Sequence, residues 1–293
     1  MLQIEHPASA AAALQCGQAL QRAGQPATWV AGGTALQLAW GSASPTGTLI
    51  DVRQLPEAQG VALLPGGGLR IGAAMPLEAL RRDALVQRQA SLLAQACAAV
   101  GAMGVRHLAT LGGNIGWRFG DALVALLALQ ADAELADGRC LPLAALLAST
   151  PAGSGLPLLL AVQVPPRADP ALAVFEKLGQ RAAFSPSLAT LALLADQDAA
   201  GQIIGLQIAA GAAGLPARPL LHTAASLRGQ LPGLLDAAAL HQALLHDLPD
   251  APSGASGPAP AAACGPAPLV RRVLARLLPG QLATLTGLAG PRP

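Results

Sequence analysis

Charge is scarce in this chain: 12% of its 293 residues are Asp, Glu, Lys or Arg, and the formal net charge is +2. A balance so close to neutral gives no basic face for nucleic acid or for an anionic membrane. Cysteine is equally sparse. Cys16, Cys97, Cys140 and Cys264 are scattered without any C-x-x-C spacing. That pattern speaks against disulfides and thiolate metal sites and fits a reduced, cytoplasmic setting. His6, His107, His222, His241 and His246 form neither H-x-x-x-H nor H-E-x-x-H, so no protein-bound metal is expected. Hydrolase chemistry lacks both a G-x-S-x-G turn and a Ser-His-Asp set. No apolar run reaches the ~20 residues of a spanning helix, because Pro142, Pro151, Gly153, Gly155 and Pro157 interrupt the uncharged stretch over 141–166. The opening Met1-Leu2-Gln3-Ile4-Glu5-His6-Pro7 has neither the basic nor the apolar part of a signal peptide.

Apolar residues, mostly Ala and Leu, make up 53% of the chain. A coding bias toward alanine and a subunit hiding its surface against partners both produce such a composition. The length suffices for two domains, or one large domain with subdomains, around a substantial core. Helices are predicted over 8–23, which has few breakers, and over 91–102, 121–131, 187–194 and 269–278, the last with Arg271, Arg272 and Arg276. Strands are predicted over 29–31, 49–52 and 203–210. Two short runs, 61–64 and 69–72, flank Pro65-Gly66-Gly67-Gly68, which reads as a hairpin turn and not as a phosphate loop. Residues 250–268, rich in Pro, Ala, Gly and Ser, read as a flexible connection.

Two glycine turns carry the chemistry. Ala31-Gly32-Gly33-Thr34-Ala35-Leu36 follows a strand and opens a helix; Thr110-Leu111-Gly112-Gly113-Asn114 follows another helix. Strand, glycine turn and helix start aim backbone N–H groups and a helix dipole at an anion. Glycine leaves room for phosphate oxygens and allows positive φ. Together the turns read as two halves of a clamp on a dinucleotide diphosphate. A G-x-G-x-x-G fingerprint after the first strand is absent, which argues against a Rossmann site.

Five motifs in order extend this reading: the 31–36 turn, Leu49-Ile50-Asp51, Ile71-Gly72-Ala73 with Pro76-Leu77-Glu78-Ala79-Leu80, the segment Val105-Arg106-His107-Leu108-Ala109 into the second turn, and Asp121 with Val124-Ala125-Leu126-Leu127-Ala128-Leu129. A sixth, Lys177-Leu178-Gly179-Gln180-Arg181, lies further on, and 211–219 resembles a G-x-x-P-x-R strand end. With these the chain resembles, over nearly its whole length, the FAD-binding medium subunit of the molybdenum hydroxylases, a group that includes xanthine and carbon monoxide dehydrogenases.

The resemblance implies an α+β fold: a two-subdomain FAD-binding PCMH-type domain over 1–168, divided near 53 and 54, then a smaller α/β C-terminal domain over 169–293 like that of the carbon monoxide dehydrogenase flavoprotein. It implies that Trp29, Val30, Ala31, Gly32, Gly33, Thr34, Ala35 and Leu36, with Thr110, Leu111, Gly112, Gly113 and Asn114, hold the FAD diphosphate, largely through backbone amides. Asp121 would accept a hydrogen bond from the ribityl or ribose part, or cap its helix. Lys177 would approach the flavin ring or stand exposed on a strand, and Leu159 or Leu160 would pack near the adenine or the ring. Arg106 would face a phosphate, or solvent, or cap a helix; His107 reads as a loop-packing side chain.

It also implies an oxidoreductase: a heterotrimer in which electrons from a molybdenum cofactor in a large subunit pass through [2Fe–2S] clusters in a small subunit to FAD here, then to NAD, a quinone or a cytochrome. The cysteines provide no ligand set for a cluster in this chain. Ala35 stands where relatives carry Asp, Ser or Asn, and the 115–120 segment is two residues shorter. No tyrosine is present, so Trp117 or Phe119 is expected to fill the space of one over the flavin. These departures motivate two alternatives, a flavin-free assembly subunit and a stand-alone flavin oxidoreductase.

Overall fold

Three sheets follow one another along the chain, and the turns of interest lie where the first two meet. The computed structural model describes residues 2–41, 46–151, 154–168, 170–179, 187–249 and 267–288. Gln180, Arg181 and most of the expected connection over 250–268 lie outside the described residues.

The first unit contains β1 (Leu2–Glu5), α1 (Ala10–Arg22), β2 (Ala27–Val30), α2 (Thr34–Trp40) and β3 (Gly47–Asp51). Strands β1 and β2 flank β3, both parallel to it. Ser9 starts α1 by accepting from the Ala12 amide, satisfying one orphan donor of the first turn. Helix α1 and strands β2 and β3 overlap the predicted elements, while β1 was not predicted.

The second unit runs through β4 (Val61–Leu63), β5 (Leu69–Gly72), α3 (Leu77–Arg82), α4 (Ala84–Gln89), α5 (Ser91–Ala99), α6 (Met103–Leu108), α7 (Leu111–Gly116), α8 (Asp121–Ala128), β6 (Asp132–Leu135), β7 (Cys140–Pro142), α9 (Leu143–Ser149) and β8 (Leu159–Val164). Its sheet is antiparallel, in the order β4-β5-β8-β6-β7. The glycines of 65–68 make the expected hairpin: the Leu64 amide donates to the Gly68 carbonyl at 2.7 Å and Gly67 takes φ 84°. The helix predicted over 91–102 is α5, which stops three residues short at Ala99. Gly101, at φ 46°, lies between α5 and α6.

The third unit holds β9 (Leu172–Gly179), β10 (Ser187–Gln197), β11 (Ile203–Ala212), β12 (Leu215–Pro219), α10 (Leu221–Leu227), α11 (Ala237–Asp247) and α12 (Ala267–Leu288). Its sheet is antiparallel throughout, β12-β11-β10-β9. The helix predicted over 187–194 is the strand β10, and the cause is burial on both faces. Leu191, Leu193 and Ala195 point into a core with α10, α11 and α12, while Ala192 and Leu194 point into the core around α8. A strand covered on both sides loses polar alternation and reads as an unbroken apolar run, which periodicity cannot tell from a buried helix.

Helix α8 is the centre of the molecule. All eight of its residues are buried, between the second sheet and the third. Gly211 of β11 permits this approach: a Cβ there would stand 3.2 Å from Val124 Cγ2. A smaller core joins the first two units, with Ala13, Ile50, Leu55, Ala58, Ala74 and Leu158 buried in it.

Candidate cofactor site

The first turn is built to leave amides free. Gly33 sits at φ 67°, a left-handed conformation that glycine adopts without penalty, and serves as N-cap of α2 with no side chain to offer. Helix geometry leaves the first N–H groups of α2 without intrahelical partners. The amides of Gly32, Gly33, Thr34, Ala35 and Leu36 donate to no acceptor among the described residues. No acidic side chain occupies the first turn of α2. A Cβ placed on Gly33 would find nothing closer than 3.9 Å, so the space beside this residue is open. A set of adjacent N–H groups beside open space and a helix start fits a diphosphate.

Gly32 brings the two turns together. A Cβ at this residue would stand 1.8 Å from the Leu108 carbonyl oxygen and 3.1 Å from the Ala109 nitrogen. Only glycine allows the β2–α2 turn to rest on the backbone that leads directly into Thr110. The other predicted residues of this stretch point inward or sideways. The Trp29 ring lies over Gly17 of α1, where a Cβ would come within 2.7 Å of it, and the Val30 carbonyl accepts from the Val52 amide at 2.8 Å. Ala31 is half-buried.

The second turn differs from expectation. It is the helix α7, capped by the buried Thr110, whose Oγ1 accepts from the Gly113 amide at 3.2 Å. The Leu111 amide donates to Met75 O at 3.0 Å, that of Gly112 to Ala73 O at 2.7 Å, and that of Asn114 to Thr110 O at 2.9 Å. These amides were expected to hold a diphosphate, and they are already bonded. Instead α7 is stitched to the 73–77 segment, and Ala73 in turn donates to the Leu160 carbonyl at 2.8 Å. Leu160 is half-buried, against the small core that also takes Trp29. Asn114 serves α8: its Oδ1 accepts from the Leu123 amide at 3.0 Å, replacing the cap that Gly120 cannot supply. A Cβ on Gly120 would lie 2.1 Å from that oxygen.

Asp121 and Lys177 find each other. Lys177 Nζ donates to Asp121 Oδ2 at 2.6 Å and to the Ala99 carbonyl at 3.0 Å. Thr190 Oγ1 donates to Asp121 Oδ1 at 2.9 Å. The side chains expected to contact the ribityl and the flavin ring therefore form an ion pair, with Asp121 buried and Lys177 half-buried, tying α8 and α5 to β9 and β10. Asp121 does not cap its helix, and Lys177 is not exposed. Arg106 faces no open phosphate site either: its Nε donates to Glu78 Oε2 at 2.8 Å, and its Nη1 to Gly101 O at 3.0 Å. Glu78 is buried and also receives Arg81 and Arg82. Hydrogen bonds from Arg81 and Arg106 hold its carboxyl far below the usual carboxylate range. His107 is exposed.

In the shortened segment, Trp117 and Phe119 meet edge to face with ring centroids 6.0 Å apart. Between them Arg118 takes φ 60° and sends Nη1 to the Leu147 carbonyl at 3.1 Å. Burial lowers the Arg118 pKa, and its Nη2 is buried with no partner among the described residues.

A family model described as the FAD binding domain in molybdopterin dehydrogenase matches residues 1–167. The chain belongs to that family. Membership accounts for the first two sheets together, since the matched stretch ends just beyond β8. A curated relative, the xanthine dehydrogenase FAD-binding subunit of Escherichia coli O157:H7, is 36% identical over 67 residues; that match spans 23% of this chain and 23% of the relative. Among solved structures, a carbon monoxide dehydrogenase from Hydrogenophaga pseudoflava lacking the Mo-pyranopterin moiety of its molybdenum cofactor has 21% identity and a TM-score of 0.77, with 98% of each chain covered. Quinoline 2-oxidoreductase from Pseudomonas putida 86 has 19% identity and a TM-score of 0.72, covering 99% of this chain and 98% of that one. At these identities the likeness shows a shared fold, and it reaches through the third unit as well. No helix among the described residues is long and apolar enough to cross a membrane.

Sequence reasoning missed three features. Gly32 resting on Leu108 and Thr190 bonding Asp121 are contacts between distant segments and leave no local pattern. The third is a cluster in the third unit, His222, His246 and Asp247, whose ligand-type atoms lie within 4.8 Å of one another.

Proposed function

We propose that this chain is the FAD-binding, electron-transfer subunit of a molybdenum hydroxylase, an oxidoreductase complex of the cytoplasm. Its partners in this reading are a large subunit with the molybdenum cofactor and a small subunit with [2Fe–2S] clusters, and its final acceptor is NAD, a quinone or a cytochrome. The observation that carries the proposal is the row of unpartnered amides from Gly32 to Leu36, pressed by Gly32 against the chain entering Thr110, in a member of an FAD-binding family. When bound, FAD supplies the ability to take up electrons singly and release them as a pair. The chain supplies position. The Gly32, Gly33, Thr34, Ala35 and Leu36 amides bind the diphosphate; Thr110 and α7, rigidified by their own bonds, form the opposite wall. No side chain is required as acid, base or nucleophile.

The bonded amides of α7, together with Ala35, favour a second reading, a flavin-free subunit that keeps the fold for assembly. Purification of the complex from its native host separates the two. Under the first reading the folded complex carries one FAD per copy of this chain, together with molybdenum and iron on co-purifying chains, and substrate bleaches the flavin band. A folded complex with molybdenum and iron but no FAD overturns it in favour of the second.

A further inference from the structure

The strongest unassigned feature lies away from the glycine turns, where the end of α11 meets the start of α10. Asp247 is buried, and its carboxylate is fixed by main-chain donors: Oδ2 accepts from the Thr223 amide at 2.7 Å and Oδ1 from the His222 amide at 3.1 Å. The His222 ring places Nδ1 2.9 Å from the same Oδ1. His246, one residue before Asp247, lays its ring against that of His222, with centroids 3.6 Å apart and planes 32° apart. Both imidazoles are exposed while the carboxylate is not.

We infer that His222 Nδ1, a ring nitrogen of His246 and Asp247 Oδ1 form a binding site for a divalent transition-metal ion of the zinc class, with water in the fourth position. Two imidazoles and a carboxylate suit Zn2+ and not Mg2+ or Ca2+, which prefer all-oxygen shells. Ligand atoms gathered within 4.8 Å need only a small rotation of the exposed His246 ring to surround an ion at ~2.0–2.2 Å. The ion replaces the Nδ1···Oδ1 hydrogen bond, and neutral His222 then carries its proton on Nε2. The carboxylate is pre-positioned by the Thr223 and His222 amides, as ligating carboxylates are by their outer hydrogen bonds. The site pins α10 to α11 and is independent of flavin binding.

The test is equilibrium dialysis of the full chain, stripped with chelator, against micromolar Zn2+ with metal analysis. Wild type is expected to retain one Zn2+ per chain, with excess Mg2+ failing to compete, and to melt at higher temperature with Zn2+ than without. His222→Ala and His246→Ala change exposed side chains and leave the Asp247 amide bonds in place. Each is expected to weaken Zn2+ binding more than tenfold and to abolish the Zn2+-dependent rise in Tm, whereas His107→Ala leaves both intact. Absence of stoichiometric Zn2+ on the folded wild type overturns the inference. So does binding that survives either substitution at the site, or that depends on His107.

Discussion

Replacing Gly32 by alanine separates close packing from cofactor binding more cleanly than any other single change. The added Cβ would begin 1.8 Å from the Leu108 carbonyl oxygen and 2.6 Å from its carbon, both main-chain atoms that cannot rotate away. To restore ordinary contact near 3.4 Å the β2–α2 turn must retreat by about 1.6 Å. Such a shift is larger than the tolerance of a hydrogen bond, so amides aimed at a diphosphate lose one or two charge-assisted bonds. At ~1.5–3 kcal/mol each, a loss of about 3 kcal/mol corresponds to FAD binding weakened roughly 100-fold. Global stability falls less, by ~1–3 kcal/mol, as for other overpacked sites. The assay is titration of the flavin-free chain with FAD by fluorescence quenching, beside a urea melt on the same samples. Gly33→Ala is the companion. Its Cβ meets open space, so only the left-handed backbone is strained, by ~1–2 kcal/mol. If Gly32→Ala bound FAD within threefold of wild type, or lost no more affinity than Gly33→Ala, the apposition of the two turns would not support the site.

Lys177→Met leaves the buried Asp121 with Thr190 as its side-chain donor among the described residues, and should cost about 3 kcal/mol in urea denaturation, with the double variant carrying Asp121→Leu recovering part of the loss. Glu78→Gln should lower Tm at neutral pH. Because the folded-state pKa of Glu78 is depressed below its ordinary 4.5, its contribution is complete above that pH and is lost as pH falls toward the folded value. The gap in Tm between wild type and Glu78→Gln therefore narrows in a melt series below pH 4.5, and a gap that widens contradicts the triple-arginine setting. Leu126→Ala empties a fully buried position at the centre of α8 and should cost about 3 kcal/mol by the same denaturation assay.

The parts of the fold legible in the sequence are those with local signals. The glycines of 65–68 and the φ-tolerant Gly33 each act on their immediate neighbours, so the hairpin and the β2–α2 turn read correctly, whereas β1, whose pairing with β3 is long-range, was not predicted. Failures occurred where distant packing decides. Leu191, Ala192, Leu193 and Leu194 read as helix because β10 has a core on each face and therefore no polar alternation. The glycine turns show the same division. That Gly33 frees amides is local; that Gly112 gives its amide to Ala73 depends on a segment almost forty residues earlier in the chain, so no local pattern shows that this amide is already bonded. Asp121 and Lys177 were expected to contact different parts of the flavin, and the structure pairs them with each other across 56 residues of sequence. His222 and Asp247 stand 25 residues apart, and no spacing rule links them to a shared site.

The account rests on a diphosphate held by the Gly32–Leu36 amides, and a comparison of ligands on the flavin-free chain tests it most directly. FAD should bind one per chain, and riboflavin, which has the ring but no phosphate, at least 100-fold more weakly, as expected for the loss of about 3 kcal/mol of amide–phosphate bonding. A folded chain that ignores FAD, or that binds riboflavin equally well, contradicts it.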